Sequence, residues 1–131
     1  MARSEPIHQL AMYGLLRTGQ PGYIKFKLER RLRKIGISAV SGTLYDAGGY
    51  PALVPGPGKV VVEVFRSLDP KVLEDLDRYE GFNQDRPHQS LYRRVLLELP
   101  DDWGSAWCYV YNRPVRALPI IRSGDWLARR I

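Results

Sequence analysis

The residues of this chain best suited to acid–base chemistry are one glutamate and a group of tyrosines. Glu80 ends a segment in which Asp69 can cap a helix N-terminus, Pro70 suits the first helical position and Gly81 suits a left-handed stop. The spacing therefore predicts a helix over Pro70 to Glu80. Leu73, Leu76 and Glu80 share the face that such a helix must bury. If that face is covered, desolvation and the negative end of the helix dipole both disfavour the charged carboxylate, raising its pKa toward the range of a useful general acid–base. If the helix end instead turns outward, Glu80 is a solvated terminal residue, which is the commoner fate of a glutamate. Spacing alone leaves both readings open.

The second candidate is the run Ala106 to Tyr111, where Trp107, Tyr109 and Tyr111 alternate with Ala106, Cys108 and Val110. In a strand the aromatic set occupies one face. That face either lines a cavity and offers phenol hydroxyls to a polar ligand, or packs a core with its hydroxyls at the surface. Cys108 lies on the small-residue side without a basic neighbour in sequence, and reads as structural.

Several other chemistries are excluded by what is missing. A phosphate-cradling loop ending at Lys59 would need a glycine where Leu53 stands and a hydroxyl where Val60 stands. There is no dinucleotide fingerprint after a strand and no Gly-x-Ser-x-Gly elbow. His8 and His88 are isolated, which argues against zinc catalysis and histidine triads. The remaining inventory is a carboxylate, tyrosines, and glycine-bearing loops whose backbone amides can bind an anion.

These groups must be positioned by the surrounding elements. Ile7 to Tyr13 reads as a first strand ending at Gly14, followed by a loop from Leu15 to Gly22. Tyr23 to Lys34 reads as an amphipathic helix, with Ile24, Leu28, Leu32 and Ile35 as its apolar stripe and Lys25, Lys27, Arg30, Arg31, Arg33 and Lys34 making a basic outer face. Ile37 to Tyr45 is a second strand. Asp46 to Lys59, rich in glycine and proline, reads as a long loop of the kind that is usually functional. Val60 to Arg66 is an apolar strand interrupted by Glu63, and Leu91 to Leu99 pairs with Ala106 to Asn112 as a hairpin. The pattern predicts one α+β domain over residues 1–131.

Composition agrees with a globular chain: 131 residues suffice for one core, and 44% hydrophobic with 26% charged residues fits that class. The lone cysteine cannot form an internal bridge, no apolar run is long enough to cross a bilayer, and Met1 to Pro6 lacks the apolar core of a signal peptide. The expectation is a cytoplasmic protein without membrane association. The net charge of +6 raises the question of polyanion binding. The basic stretch carries no nucleic-acid motif and too few aromatic neighbours for base stacking, so it reads as a solvated face.

Tyr13-Gly14-Leu15-Leu16-Arg17, Gly42-Thr43-Leu44-Tyr45-Asp46, Tyr50-Pro51-Ala52-Leu53-Val54, Leu76-Asp77-Arg78-Tyr79-Glu80-Gly81, Tyr92-x-Arg94 and Trp107-x-Tyr109 occur in an order and spacing that resemble gamma-glutamylcyclotransferase-like proteins. The resemblance runs from about Met12 to Trp126. It implies a small mixed barrel-like sheet flanked by short helices, with a ligand cavity at the mouth of the sheet. It also implies that Glu80 is the catalytic acid–base, which decides between the two readings of that residue. The implied reaction is cleavage of a gamma-glutamyl amide by its own alpha-amine, releasing 5-oxoproline and a free amine. The amides of Gly14, Leu15 and Leu16 would then bind a substrate carboxylate or an oxyanion. Tyr13, Tyr50, Tyr92, Tyr109 and Tyr111 would wall the cavity, with no cofactor. One departure stands out: family members commonly carry a small hydroxyl residue where this chain has Leu15. The alternative function on the same fold is a non-catalytic module that binds a small acidic ligand or, through the basic stretch, a polyanion.

Overall fold

The computed structural model describes residues 8–129. Ile7, and the N-terminal segment read above for targeting, lie outside the described residues. The fold is α+β, a small mixed barrel-like sheet with short helices. Its strands are β1 (Gln9–Met12), β2 (Leu32–Asp46), β3 (Pro51–Ser67), β4 (Tyr92–Glu98) and β5 (Ser105–Tyr111), in the order β2-β3-β1-β5-β4. All ladders are antiparallel except the β1–β5 pair, and β2 and β4 form the edges.

The sheet is covered on both faces, and strand alternation sorts its residues between two cores. From β1, Ala11 enters one core with Val60, Val62 and Val64 of β3 and Ala106, Cys108 and Val110 of β5. Leu10 and Met12 enter the other with Phe65, Tyr92, Tyr109 and the helical Leu28, Val72 and Leu76. The alternation read in β5 thus serves two buried layers. Burial also pushes the Cys108 thiol up and keeps it protonated, consistent with a structural cysteine.

Two sequence expectations fail. The basic helix over Tyr23 to Lys34 does not exist as one element. The chain forms α1 (Pro21–Lys25) and α2 (Leu28–Arg31), separated by Lys27 in the left-handed region at φ 53°, and Leu32 already begins β2. Ile24 and Ile35 are exposed, so only Leu28 and Leu32 of the proposed stripe are buried. The cause is tertiary: Leu32 pairs with Ser67 and Arg33 with Arg66, and this ladder overrides a weak local helix preference. Nor is the basic face uniformly solvated. Arg31 pairs with Asp69 at 2.6 Å and Asp75 at 2.8 Å, while Lys34 approaches Glu63 at 3.8 Å.

The long loop expected over Asp46 to Lys59 is mostly strand. β3 starts at Pro51, and only residues 47–50 make the turn. Prolines survive there because β3 has no second partner along this stretch and because the ladder skips from Ser41–Lys59 to Gly42–Pro55, expelling residues 56–58 as a bulge. Gly58 takes φ 101°, its Cα packed against the Gly42 carbonyl with no room for a side chain. The remaining helix, α3 (Val72–Tyr79), is two residues shorter at its start than Pro70–Glu80. With the later start the N-cap position falls on Lys71 and no side chain caps the helix; the expected cap Asp69 instead closes a turn just before it, Oδ1 accepting from the Lys71 amide at 2.9 Å, while Gly81 makes the left-handed stop at φ 69°. Among the described residues no helix is long and apolar enough to cross a membrane.

Candidate active site

β1 ends at the centre of the sheet, and the chain leaves it through Tyr13 and Gly14 into a tight turn. Gly14 is packed against the Pro51 ring so closely that any side chain would displace it, which joins the β1 exit to the start of β3. The end of α3 points at the same place. These three segments and the beginning of β4 enclose a cavity of about 320 Å³, near the lower end of the range for small-molecule sites.

Glu80 lines this cavity and, among the described residues, is the only acidic or basic side chain that does. Its amide continues the helix ladder to the Leu76 carbonyl at 2.9 Å, which holds its Cα in register with the buried face. The residue keeps partial exposure because the cavity opens beside it. Among the described residues its carboxylate has neither an ion-pair partner nor a hydrogen-bond donor. Desolvation without compensation pushes its pKa up to about 8. A carboxyl in that state holds or releases a proton near neutrality, as general acid–base work requires.

Opposite Glu80 lies the loop after β1. Gly14, Leu15 and Leu16 all line the cavity, and none of their amides donates a hydrogen bond within the described residues. Their carbonyls, by contrast, are engaged where the turn needs them: Gly14 accepts from the Arg17 amide at 3.0 Å, and Leu15 from Gly22 at 2.9 Å and Tyr23 at 3.3 Å. A turn with unused consecutive donors suits an anion.

Arg17 fixes this loop from behind, and nothing in the local sequence pattern announced it. The buried guanidinium donates from Nε to Glu63 Oε2 at 2.8 Å and from Nη1 to Asp125 Oδ1 at 2.7 Å. Glu63 Oε1 also accepts from the Thr18 amide at 2.9 Å and the Thr18 hydroxyl at 2.7 Å. Burial alone would raise the Glu63 carboxyl, but the Thr18 and Arg17 donors outweigh it and hold the group below its ordinary value. The available signal was Glu63 itself, a charge inside an apolar strand that had to find a partner.

The tyrosines divide. Tyr13, Tyr50, Tyr92 and Tyr109 line the cavity. Three of their hydroxyls are already committed: Tyr13 donates to the Tyr109 carbonyl at 2.6 Å, Tyr92 to the Pro51 carbonyl, and Tyr109 to Asp77 Oδ1 at 2.7 Å. Their rings therefore shape the wall more than they offer free donors. Tyr111 does not line the cavity; it packs edge-on against Tyr92 at 5.4 Å. Its position at the end of β5, one full strand period beyond Tyr109, carries it past the floor. Asp77, one helical turn before Glu80, is buried and clamped by Arg94 at 2.8 Å and 3.2 Å, and the Arg94 guanidinium lies 4.5 Å from the Trp107 ring. This cluster braces the end of α3 against β4 and β5. Among the described residues no group of three or more His, Cys, Asp or Glu could hold a metal ion.

Comparison with known proteins places this geometry. Residues 10–128 match the family described as Gamma-glutamyl cyclotransferase, AIG2-like. The gamma-glutamylcyclotransferase family protein YtfP of Escherichia coli K12 is 46% identical over 86 residues, 66% of this chain and 68% of its own. The solution structure of ytfP from Escherichia coli superposes with a TM-score of 0.65 at 35% identity, covering 92% of this chain and 96% of that one. The crystal structure of an AIG2-like protein from Mus musculus, at 24% identity, shares the fold with a TM-score of 0.61 over 96% of this chain and 86% of that one.

Proposed function

The chain belongs to the gamma-glutamyl cyclotransferase, AIG2-like family, and on that premise we propose that it is an enzyme cleaving a gamma-glutamyl amide by intramolecular cyclisation, with Glu80 as its acid–base. The observation that carries this reading is a carboxyl without a partner among the described residues, its pKa pushed up to about 8, as the sole acidic or basic side chain among the described lining residues of a cavity of about 320 Å³. The substrate brings its own nucleophile. Its alpha-amine reaches the gamma-carbonyl through a five-membered ring, and such an intramolecular attack has a high effective concentration once the chain is held folded.

Two protons must leave the alpha-ammonium, and Glu80 can relay both. The alpha-ammonium gives one proton to the Glu80 carboxylate, and the freed amine attacks the gamma-carbonyl carbon to form a tetrahedral oxyanion whose ring nitrogen still carries one proton too many. The protonated Glu80 returns the first proton to the departing nitrogen, and the carboxylate so regenerated takes the second from the ring nitrogen, which becomes the lactam N–H, and passes it to the released amine or to solvent. The old C–N bond breaks, and 5-oxoproline and a free amine leave. A carboxyl with a pKa near that of an amine serves both directions with little driving force lost. The arriving ammonium also supplies the positive partner that the empty cavity lacks. The unused amides of Gly14, Leu15 and Leu16 would hold the alpha-carboxylate or the oxyanion, while the rings of Tyr13, Tyr92 and Tyr109 keep the site dry.

The deciding experiment measures 5-oxoproline release from a panel of gamma-glutamyl amides by the purified protein and by Glu80→Gln. The proposal expects turnover on at least one amide and a loss of about a hundredfold or more in the variant. Turnover by Glu80→Gln at the wild-type rate would remove Glu80 from the mechanism.

A further inference from the structure

The cavity has a floor and a mouth of different chemistry. Tyr13, Leu16, Tyr92 and Tyr109 on the floor are buried, whereas Leu15, Tyr50, Tyr79, Glu80 and Leu91 keep partial exposure and so mark the opening. Apart from Glu80 and the neutral phenol hydroxyls of Tyr50 and Tyr79, the side chains of that mouth are hydrocarbon and aromatic ring. Its walls are also held in place. The Leu15 carbonyl is fixed by two amides, and the Leu91 amide donates to the Gly81 carbonyl at 3.1 Å, setting Leu91 directly beside the end of α3. Tyr79 packs edge-on against Phe26 at 5.2 Å, and the exposed Lys25 ammonium stands 5.6 Å from the Tyr79 ring.

We infer that the substituent carried by the leaving amine's nitrogen is uncharged and apolar, and that Leu15, Tyr79 and Leu91 select it. The inference rests on the cyclotransferase reading. There the glutamyl half is committed to Glu80 through its amine and to the loop amides through its carboxylate, so the amine side of the scissile bond has only the mouth to occupy. A second ammonium on that amine would lose water against two leucines and find Glu80 already engaged by the alpha-amine. A carboxylate on it would lose water as well, and no lining side chain among the described residues carries a cation for it. An alkyl or aryl group loses nothing there and gains apolar contact.

The test compares gamma-glutamyl amides of three amines of similar length: butylamine, the diamine putrescine and the amino acid gamma-aminobutyrate. 5-Oxoproline release is read as kcat/KM with the full chain at neutral pH. The expected result is at least a tenfold preference for the butylamide over either charged amide. Leu91→Glu should shrink the ratio of butylamide to putrescine amide at least tenfold, and Leu15→Glu reads the same ratio if Leu91→Glu does not fold. Equal or better turnover of a charged amide by the wild type overturns the inference, as does an unchanged ratio in a folded variant. Release from none of the three, while another gamma-glutamyl amide of the panel is turned over, also overturns the inference; release from no gamma-glutamyl amide at all sinks the cyclotransferase reading and the inference with it.

Discussion

Glu63 in the middle of β3 and Glu80 at the end of α3 are both withdrawn from bulk water, yet the fold holds them in opposite states. Glu63 is met by Arg17 and by two donors from Thr18, and stays ionised below its ordinary range. Glu80 is met by no donor among the described residues and is pushed up to about 8. Desolvation acts with the same sign on each, so the difference lies in the partners. One carboxylate anchors the loop that follows β1; the other faces the space that this loop helps to enclose. The comparison teaches that partners, and not desolvation alone, set the protonation state of a carboxylate in this chain.

The largest stability effect should come from breaking the satisfied side. Arg17→Met leaves Glu63 buried without its cation, and loss of one partner of a buried pair costs about 3–5 kcal/mol. Denaturant melts would read this directly, and a cost below about 1 kcal/mol would show that the two glutamates are less different than their surroundings imply.

A second test sharpens the contrast through pH. The unfolded chain ionises Glu80 near 4.5, whereas the folded chain keeps the proton until about 8. Between those values the folded state binds the extra proton, so stability contributed by this group falls as pH rises and stays lower above the window. Glutamine has no proton to lose. Glu80→Gln should therefore melt close to the wild type at the acidic end of the window and increasingly above it toward pH 8. A melting difference that does not change with pH would contradict the unpaired state of Glu80.

The pattern of apolar and small residues made part of this site legible. The stop at Gly81 and the spacing of Leu76 to Glu80 are local signals, and they locate the end of α3 well, whereas its start falls two residues later than Pro70. The β4–β5 hairpin and its alternation are equally local. What escaped was decided at long range. Nothing near Arg17 names Glu63, 46 residues away, or Asp125, 108 residues away. The break at Lys27 follows from pairing of β2 with the end of β3, and the proline-rich stretch becomes strand because the ladder bulges around it rather than stopping. Tyr111 shares a face with Tyr109 but lies beyond the cavity's reach, which periodicity cannot distinguish.

The smallest expected effect concerns Leu15, which lines the cavity between the two contrasted regions. Leu15→Ser adds a hydroxyl and removes apolar wall, and one hydrogen bond is worth on the order of 1 kcal/mol. A several-fold shift in kcat/KM between apolar and polar gamma-glutamyl amides is expected, with the melting temperature nearly unchanged. Identical kinetics over the panel would mean that the Leu15 side chain does not touch the substrate.

The central claim, that Glu80 moves the proton because it is buried and unpaired, is tested most directly by the pH dependence of kcat/KM. The account predicts a rate that climbs through an inflection near pH 8, where the free enzyme's carboxyl ionises, with that limb absent from any residual activity of Glu80→Gln. A profile already flat from about pH 5, the behaviour of an ordinary solvated glutamate, would contradict it.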